Sequence, residues 1–431
     1  MSRHRYVICG AIYSDNLGDG VIAECLAAAL RQHDPASEIV FLDIAGRTHF
    51  GHDYLPEKQL ALRILRILPR VARPVLVAAL LAVRLVGWSR RWSGMIKPGD
   101  RVIIGGGNLL CDMHLNFPMK LAALDAVAHR KGAATALHAV GVSARWSRLA
   151  HCLFARVVGR AQAVRLSVRD EESRQHLVHH LNLTEAQVDL ARDPGFLAAQ
   201  VYTRPTEIMG GVGINLADPR ELKFYTKSGQ DTGFVVAEHL ACWREIISRL
   251  IHQERRVVVF TNGAREDHEW LNEVVVSLGE HLAGSPYLTI MPRASTPAEL
   301  VQQISGLDVL IAHRLHAHIV AYAMGIPAVG LLWDTKLESF FKLVDMPQRL
   351  IAPEKFGVEE IWRILGEVDH RPPDVARRMD LAEASDRVVA ELIQYFDNRG
   401  MADAHGPTTA ARADGQNSGS DGIVGRDAER P

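Results

Sequence analysis

The sequence predicts an α/β protein built from two doubly wound parallel sheets. Short apolar runs typical of buried strands alternate with helical segments along most of the chain, and this alternation restarts after a break near residues 198–209. Strands separated by helices are joined by right-handed crossovers and form parallel sheets. We therefore expect two Rossmann-like domains of similar size that face a cleft. They are residues 1–200, with a helical insertion at 57–93, and residues 207–400, which end in a long helix.

The elements of the first half follow from local patterns. Tyr6–Ile12 is an apolar run typical of a strand, and the helix that follows carries Ile22, Leu26 and Leu30 on one face. The polar residues 14–19 between them are typical of a turn. Further strands are predicted at Ile39–Leu42, Arg101–Ile104, Ala134–Val140 and Ala163–Val168, and further helices at Pro118–Arg130, Arg148–Gly159 and after Ser173.

The second half repeats the same alternation. Its predicted strands are Gly211–Asn215, Arg256–Phe260, Leu288–Met291, Asp308–Ala312 and Ala328–Trp333. Its predicted helices are Phe234–His252, Asp267–Leu282, Pro297–Ile304, His316–Met324, Val358–Val368 and Asp374–Phe396. Residues 401–431 contain almost no large apolar side chains, so burial cannot offset the entropy of ordering them, and we expect a disordered tail.

Composition argues against binding to nucleic acid and for a reducing compartment. The 49 Lys and Arg residues and 50 Asp and Glu residues give a net charge of -1, whereas nucleic-acid binding is typically carried by an excess of basic residues. The five cysteines are scattered and form no C-x-x-C pair, so neither a disulfide framework nor a zinc cluster is expected. The first strand begins without a preceding apolar signal segment, which favours a cytoplasmic location.

A stretch rich in Leu, Val, Ala and Arg, Leu60–Trp92, has two interpretations. Its uninterrupted apolar run, Pro74–Val83, is about half of the ~20 residues that a bilayer span requires. Arginines flank or interrupt this run at Arg66, Arg70, Arg73, Arg84, Arg90 and Arg91. The stretch is either an amphipathic helical pair packed on the domain or an interfacial element in peripheral contact with anionic lipid headgroups.

Polar residues and glycines follow the predicted strands at their carboxyl ends, where open α/β sheets bind ligands. They are Asn16, Gly18 and Asp19 after the first strand, Gly105, Gly106 and Gly107 after the third, Arg169 after the fifth, and Arg314, His316 and Lys336 in the second half. Two facing domains would place all of these residues along one cleft.

The residue types in the first half suit anions and sugars. The segment Asn16–Asp19 opens a helix, whose free N–H groups suit an anion or a sugar hydroxyl, with simple helix capping as the alternative. Gly105–Gly107 permits close approach of the backbone to a ligand, or forms a tight turn, and it lacks the dinucleotide pattern G-x-G-x-x-G. Arg169 suits a bidentate contact with carboxylate or phosphate, or pairs with the acidic residues that follow it.

The second half contributes cations and a histidine. Arg314 lies between a buried strand and an apolar helix, where an unpaired charge is costly, so a binding role is favoured. His316 is a candidate general acid or base near neutral pH, and Lys336 suits a phosphate contact. His313, His316 and His318 have no acid or cysteine nearby in the sequence to complete a metal site, so no metal is expected.

In their order along the chain, these motifs resemble the polysaccharide pyruvyl transferase family. The resemblance covers roughly residues 5–347 and is most specific in the Arg-Leu-His block and the Asp-x-Lys that follows it. Its motifs are Asn16-x-Gly18-Asp19, Gly105-Gly106-Gly107-x-Leu109, Ser167-Val168-Arg169-Asp170-x-x-Ser173, Arg314-Leu315-His316-Ala317, Gly325-Ile326-Pro327 and Asp334-x-Lys336-x-x-x-Phe340.

The resemblance implies a GT-B-like fold and a specific reaction. A pyruvyl group would pass from phosphoenolpyruvate to a sugar of a bacterial-type surface polysaccharide or its lipid-linked precursor, giving a pyruvate ketal without a further cofactor. By this resemblance, Arg169, Arg314 and His316 are donor-binding and catalytic residues, and Lys336 supports donor binding. The acceptor side or its loops would hold Asn16, Gly18, Asp19, Gly105, Gly106, Gly107 and His138.

The chemistry fits these residue types. Two arginines and a lysine suit the carboxylate and phosphate of phosphoenolpyruvate, and His316 is the candidate proton donor to the enol carbon C3. Asp19 or His138 is the candidate base for the acceptor hydroxyl. The alternative is a GT-B glycosyltransferase that uses a nucleotide sugar, although no carboxylate with ribose-binding spacing follows Lys336.

Overall fold

The computed structural model describes residues 4–51, 73–205, 209–225, 236–369 and 371–405. Two six-stranded parallel sheets, flanked by helices, account for most of these residues, so the predicted α/β class is confirmed. No helix in the described part of the chain is long and apolar enough to cross a membrane.

The first sheet has the strand order β2-β1-β3-β4-β5-β6. Its strands are β1 (Arg5–Gly10), β2 (Glu38–Asp43), β3 (Arg101–Gly105), β4 (Ala134–Val140), β5 (Leu166–Val168) and β6 (Asp189–Leu190). The helices of this half are α1 (Gly18–His33), α2 (Arg73–Met95), α3 (Asn116–Arg130), α4 (Arg148–Ala161), α5 (Glu171–Leu181) and α6 (Ala198–Val201). Because the chain leaves β1 first for β2 and later for β3, the order reverses between β1 and β3.

The second sheet has the strand order β12-β11-β10-β7-β8-β9. Its strands are β7 (Val212–Asn215), β8 (Val257–Phe260), β9 (Leu288–Ile290), β10 (Val309–Ala312), β11 (Ala328–Leu331) and β12 (Leu350–Ile351). The helices are α7 (Pro219–Tyr225), α8 (Val236–His252), α9 (Arg265–Ala283), α10 (Pro297–Ser305), α11 (Leu315–Ala323), α12 (Thr335–Leu343), α13 (Val358–Val368) and α14 (Val375–His405). Here the order reverses between β7 and β10.

Both faces of the first sheet are buried, which explains its continuous apolar strands. Successive side chains of β1 alternate between two cores: Tyr6 and Ile8 pack on one face, and Val7 and Cys9 pack on the other. All four are at most 1% exposed. A strand buried on both faces loses the polar alternation of a half-exposed strand, and this is the pattern that the sequence shows.

One apolar core continues from the first half into the second. It joins Leu17 and Val21 of the α1 region to Leu300 of α10 and Val320 of α11. The last helix, α14, returns to the first half, where the Phe396 ring lies 6.4 Å from the Tyr6 ring in an edge-on arrangement. The two halves are therefore held in a fixed mutual orientation by shared apolar packing as well as by the chain connection.

Several boundaries differ from the predictions. The described part of the predicted helical pair is a single helix, α2, and residues 60–72 lie outside the described residues. The disordered tail predicted from residue 401 is wrong at its start, because α14 continues to His405, and residues 406–431 lie outside the described residues. The short edge strands β6 and β12 and the helices α7 and α12 had no sequence prediction, since two to nine residues give little periodicity.

Candidate active site

The reversal points of the two sheets face one cavity of about 400 Å³. Ligands bind at such points because the loops that leave neighbouring strands diverge there and open a crevice. Six of the residues predicted from strand ends line this cavity, namely Asn16, Asp19, Arg169, Arg314, His316 and Lys336. The structure thus brings together side chains that are as far as 320 positions apart in the sequence (336 − 16).

The loop before α1 is fixed to the second half at the floor of the cavity. The Leu17 N–H donates to the Asn262 carbonyl at 3.0 Å, and Asn262 Nδ2 donates to Asn16 Oδ1 at 3.4 Å. Gly263 has φ of +98°, and a Cβ atom there would lie 2.7 Å from the Asp15 carbonyl oxygen. Only glycine permits both this conformation and this close approach.

Gly18 begins α1 and has a packing role against the second half. A Cβ atom at this position would overlap the Cβ and ring of His316. The glycine therefore allows the first turn of α1 to lie directly against the imidazole and fixes one side of the ring.

Arg169, at the carboxyl end of β5, carries a hydrogen-bonding group that no described residue satisfies. Its side chain is 5% exposed, and its Nε donates to Asp170 Oδ2 at 3.1 Å. Its Nη2 is buried without a hydrogen-bond partner, as is the nearby Asn108 Oδ1. Buried polar atoms are normally paired, so unpaired ones on a cavity wall indicate a ligand site.

Arg314 is oriented by a carboxylate that the sequence analysis missed. Its Nε donates to Asp267 Oδ2 at 3.0 Å, and its Nη2 lies 2.6 Å from both carboxylate oxygens. The Asp267 side chain is fully buried and also accepts the Asp218 N–H at 2.9 Å. Because Asp267 is itself fixed, the guanidinium has one defined orientation on the cavity wall. Asp267 and Asn262 both follow β8, so the rule of strand ends would have pointed to them.

His316, in the first turn of α11, is surrounded by cations. Burial lowers its pKa to about 3, and the positive charges of Arg169, Lys336 and Arg314 add to this effect. Its Nε2 is buried without a hydrogen-bond partner among the described residues. In the ligand-free protein the ring is therefore neutral near pH 7 and has an unsatisfied nitrogen.

Lys336 and Asp334 complete the cationic side of the cavity. Asp334 caps α12 by accepting the Lys336 N–H at 3.1 Å, and its other oxygen lies 2.9 Å from Lys336 Nζ. The lysine side chain is 26% exposed and lines the cavity, where its ammonium group is paired with Asp334.

Asp19 is one of the acidic residues that line the cavity. Burial raises its pKa to about 7, against the opposing effects of Arg47 and Arg169. Gly107, with φ of +65°, lies beside it, and a Cβ atom there would be 2.8 Å from Asp19 Oδ1. The Asp19 carboxyl group can therefore exchange a proton near neutral pH.

The remaining predicted residues lie behind the wall. Gly105 and Gly106 pack against the His138 carbonyl and Ile22, respectively, which explains the absence of side chains there. His138 is fully buried in β4, and burial lowers its pKa to about 3. It does not line the cavity, so its ring is not placed to accept a proton from an acceptor hydroxyl there.

A second cavity of about 420 Å³ adjoins the first. Arg169, Leu315 and Lys336 line both cavities, and the second adds apolar side chains such as Phe196 and Phe340. In the described part of the chain, no group of three or more His, Cys, Asp or Glu side chains is arranged to hold a metal ion.

Comparison with known proteins gives one family and one fold. The family model described as polysaccharide pyruvyl transferase matches residues 16–335, whereas comparison with curated proteins gave no sequence match. Among solved structures, UDP-GlcNAc 2-epimerase from Methanocaldococcus jannaschii in complex with UDP-GlcNAc and UDP is 10% identical with a TM-score of 0.55, covering 91% of this chain and 99% of that chain. The S. aureus MnaA–UDP structure is 12% identical with a TM-score of 0.53, covering 92% and 97%.

At this level of identity, the two solved structures show only a shared GT-B-like fold, and this agrees with the two facing sheets. The family match is more specific, since it spans most of the chain and includes the loop at Asn16, Arg169, and the segment from Arg314 into α12. The arrangement of these residues around one cavity and the family match lead to the same conclusion: this chain belongs to the polysaccharide pyruvyl transferase family.

Proposed function

We propose that this protein uses phosphoenolpyruvate as donor and forms a pyruvate ketal on a sugar of a surface polysaccharide or of its lipid-linked precursor, at the cytoplasmic side. Asn108 Oδ1 is an unsatisfied acceptor that suits a hydroxyl group, and His316 Nε2 is unsatisfied as well. The observation that carries the proposal is the buried, unsatisfied Arg169 Nη2 on a cavity wall shared with three further cations, Arg47, Arg314 and Lys336. Such a wall favours a small ligand with several negative charges.

The donor would be held by opposed cations. Phosphoenolpyruvate carries a carboxylate and a phosphate, and Arg314 offers a guanidinium already oriented by Asp267. Arg169 and Lys336 supply the charge for the other anionic group. Preorganised cations stabilise charge that develops on the departing phosphate without further reorganisation of the site.

His316 would deliver a proton to C3 of the donor. In the free site its pKa is about 3, partly because Arg169, Lys336 and Arg314 are close. Bound phosphoenolpyruvate would offset these cations and raise the pKa, so the imidazole gains a proton when the donor arrives. A positioned general acid contributes typically about 10²–10⁴-fold to the rate.

Protonation at C3 makes C2 the point of attack. One sugar hydroxyl adds to C2, phosphate leaves as the C2–O bond to it breaks, and a second hydroxyl of the same sugar closes the ketal. Of the two hydroxyl protons released, one balances the proton given to C3 and the other leaves with phosphate. Asp19, with a pKa of about 7, is the group on the cavity wall best suited to accept a hydroxyl proton.

The donor is tested by thermal unfolding in the presence of phosphoenolpyruvate, UDP-sugars or GDP-sugars. At 100 times its dissociation constant a ligand adds about 2.7 kcal/mol of stability, and only phosphoenolpyruvate should do so. Arg314→Ala should abolish the shift, whereas Arg387→Ala, which alters an exposed arginine on α14, should not. A shift with a nucleotide sugar alone would favour the glycosyltransferase alternative and reject the proposal.

A further inference from the structure

Helix α2 is apolar on two opposite sides. Its inner side packs into the core through Leu81, Leu85 and Trp92, which are at most 9% exposed. Its outer face carries Leu80, Val83 and Val86, which are 46%, 76% and 53% exposed. A surface helix normally has polar residues opposite its buried stripe, and a helix that is apolar all round is normally covered.

The stretch of sequence that contains this outer face is uniformly basic. Between Glu57 and Asp100 the sequence contains nine Lys or Arg residues and no acidic residue, in a chain with 50 acidic residues in total. Arg90 is exposed one turn beyond Val86 on the same side of α2. The combination of exposed aliphatic side chains and unbalanced positive charge is typical of helices that lie in the headgroup region of anionic membranes.

We propose that the outer face of α2, formed by Leu80, Val83 and Val86 with Arg90, docks on an anionic lipid surface. The helix lies parallel to that surface, with its aliphatic side chains among the acyl-chain ends and its arginines at the headgroups. This binding does not involve a span, in agreement with the length and composition of the described helices.

The position of α2 gives the docking a consequence for the site. Lys120 Nζ lies 5.5 Å from the Trp88 ring of α2 and 5.8 Å from the Phe117 ring, and Phe117 lines the candidate active site. Arg91, also on α2, donates from Nη1 to the carbonyl of Gly46 at 2.8 Å. Gly46 lies on the neighbouring loop, next to the cavity residue Arg47. Docking through α2 would therefore place this side of the cavity near the bilayer. If the proposed function holds, a lipid-linked acceptor would enter there.

Co-sedimentation of the full chain with vesicles tests the surface. Vesicles that contain phosphatidylglycerol should bind the protein, and vesicles of phosphatidylcholine alone should not. The double variant Val83→Asp, Val86→Asp should lower binding at least about tenfold through lost apolar insertion. Arg90→Ala should lower it about fivefold, as expected for a single basic residue at an anionic surface.

Matched controls separate docking from folding. Val276→Asp alters a valine that is 80% exposed on α9, and Arg387→Ala alters an arginine that is 62% exposed on α14; neither should change vesicle binding. Stabilisation by phosphoenolpyruvate should be equal in all these variants, so loss of the donor site and loss of docking are distinguishable. Equal binding to both vesicle types, no binding, or a dimer that the double variant dissociates would each overturn the proposal.

Discussion

Replacing Asp267 with Asn tests whether Arg314 is held ready for a ligand. The carboxylate makes three contacts of 2.6–3.0 Å to two guanidinium nitrogens. In Asp267→Asn one oxygen remains to accept the Asp218 N–H. The new amide N–H₂ replaces the other oxygen and faces the guanidinium, and because both groups are donors they form no hydrogen bond. The variant therefore removes the negative charge and the two contacts made by Oδ2, leaves Nη2 one oxygen to donate to, and preserves the side-chain volume.

The expected cost follows from burial. Removing one member of a buried pair costs about 3–5 kcal/mol, because the other charge is left unpaired. Arg314 is still 14% exposed and can recover some hydration, so the lower end, about 3 kcal/mol of unfolding free energy, is expected. Phosphoenolpyruvate should bind about 10- to 150-fold more weakly, since a misaligned arginine loses a charge-assisted hydrogen bond of about 1.5–3 kcal/mol.

The matched control is Asp125→Asn. The Asp125 side chain is 1% exposed and pairs with Arg160 at 2.5 Å, outside the cavity. Urea unfolding should show both variants destabilised, and titration calorimetry should show weakened phosphoenolpyruvate binding only for Asp267→Asn. If Asp267→Asn binds the donor as tightly as Asp125→Asn does, Asp267 does not position Arg314 for the ligand.

Three further predictions concern Gly18, His316 and Asp19. Gly18→Ala should lower kcat, because the added methyl group displaces His316. The control Gly159→Ala adds a methyl group that meets no atom within 4 Å and should leave kcat unchanged. Equal kcat values for the two variants would contradict the packing role of Gly18. The imidazole of His316 is neutral in the free site, so it should take up a proton when phosphoenolpyruvate binds at pH 7. Calorimetry in two buffers of different ionisation enthalpy should therefore show greater proton uptake for wild type than for His316→Gln. Equal uptake would exclude His316 as the group that gains the proton. Asp19 has a folded-state pKa of about 7, above its ordinary value of 3.8, so the folded state holds its proton more strongly. The stability of wild type relative to Asp19→Asn should therefore fall as pH rises from 4 to 7, and a difference independent of pH would refute the raised pKa.

The positions of the catalytic candidates were predictable because they follow from strand ends. Arg169, Arg314 and Lys336 each come after a buried apolar run, and parallel strands bring such positions to one edge of a sheet. The same rule points to Asp267, which follows β8, but it does not reveal that Asp267 pairs with Arg314. Asp267 is 47 residues distant, and its pairing depends on how α9 and α11 start beyond β8 and β10, which lie on either side of β7 in the same sheet.

His138 shows the converse error. The family resemblance implied a role for it on the acceptor side, but whether a side chain near a strand end faces the cavity depends on register. In the structure, His138 pairs with Gly105 in β3 and its ring is covered on all sides. One position along the strand decides which face a side chain joins, and the sequence of a strand buried on both faces does not reveal this.

The return of α14 to the first half has a consequence for how the chain folds as it is made. Val389, Leu392 and Phe396 fill the same core as Leu26 and Leu30. The helix is also tied to this half by ion pairs between Arg165 and Glu391 at 2.8 Å and between Arg101 and Asp397 at 2.5 Å. During synthesis, the first sheet therefore emerges with part of its core uncovered. That core is completed only when the last helix leaves the ribosome, so a truncated chain would expose it to proteases and chaperones.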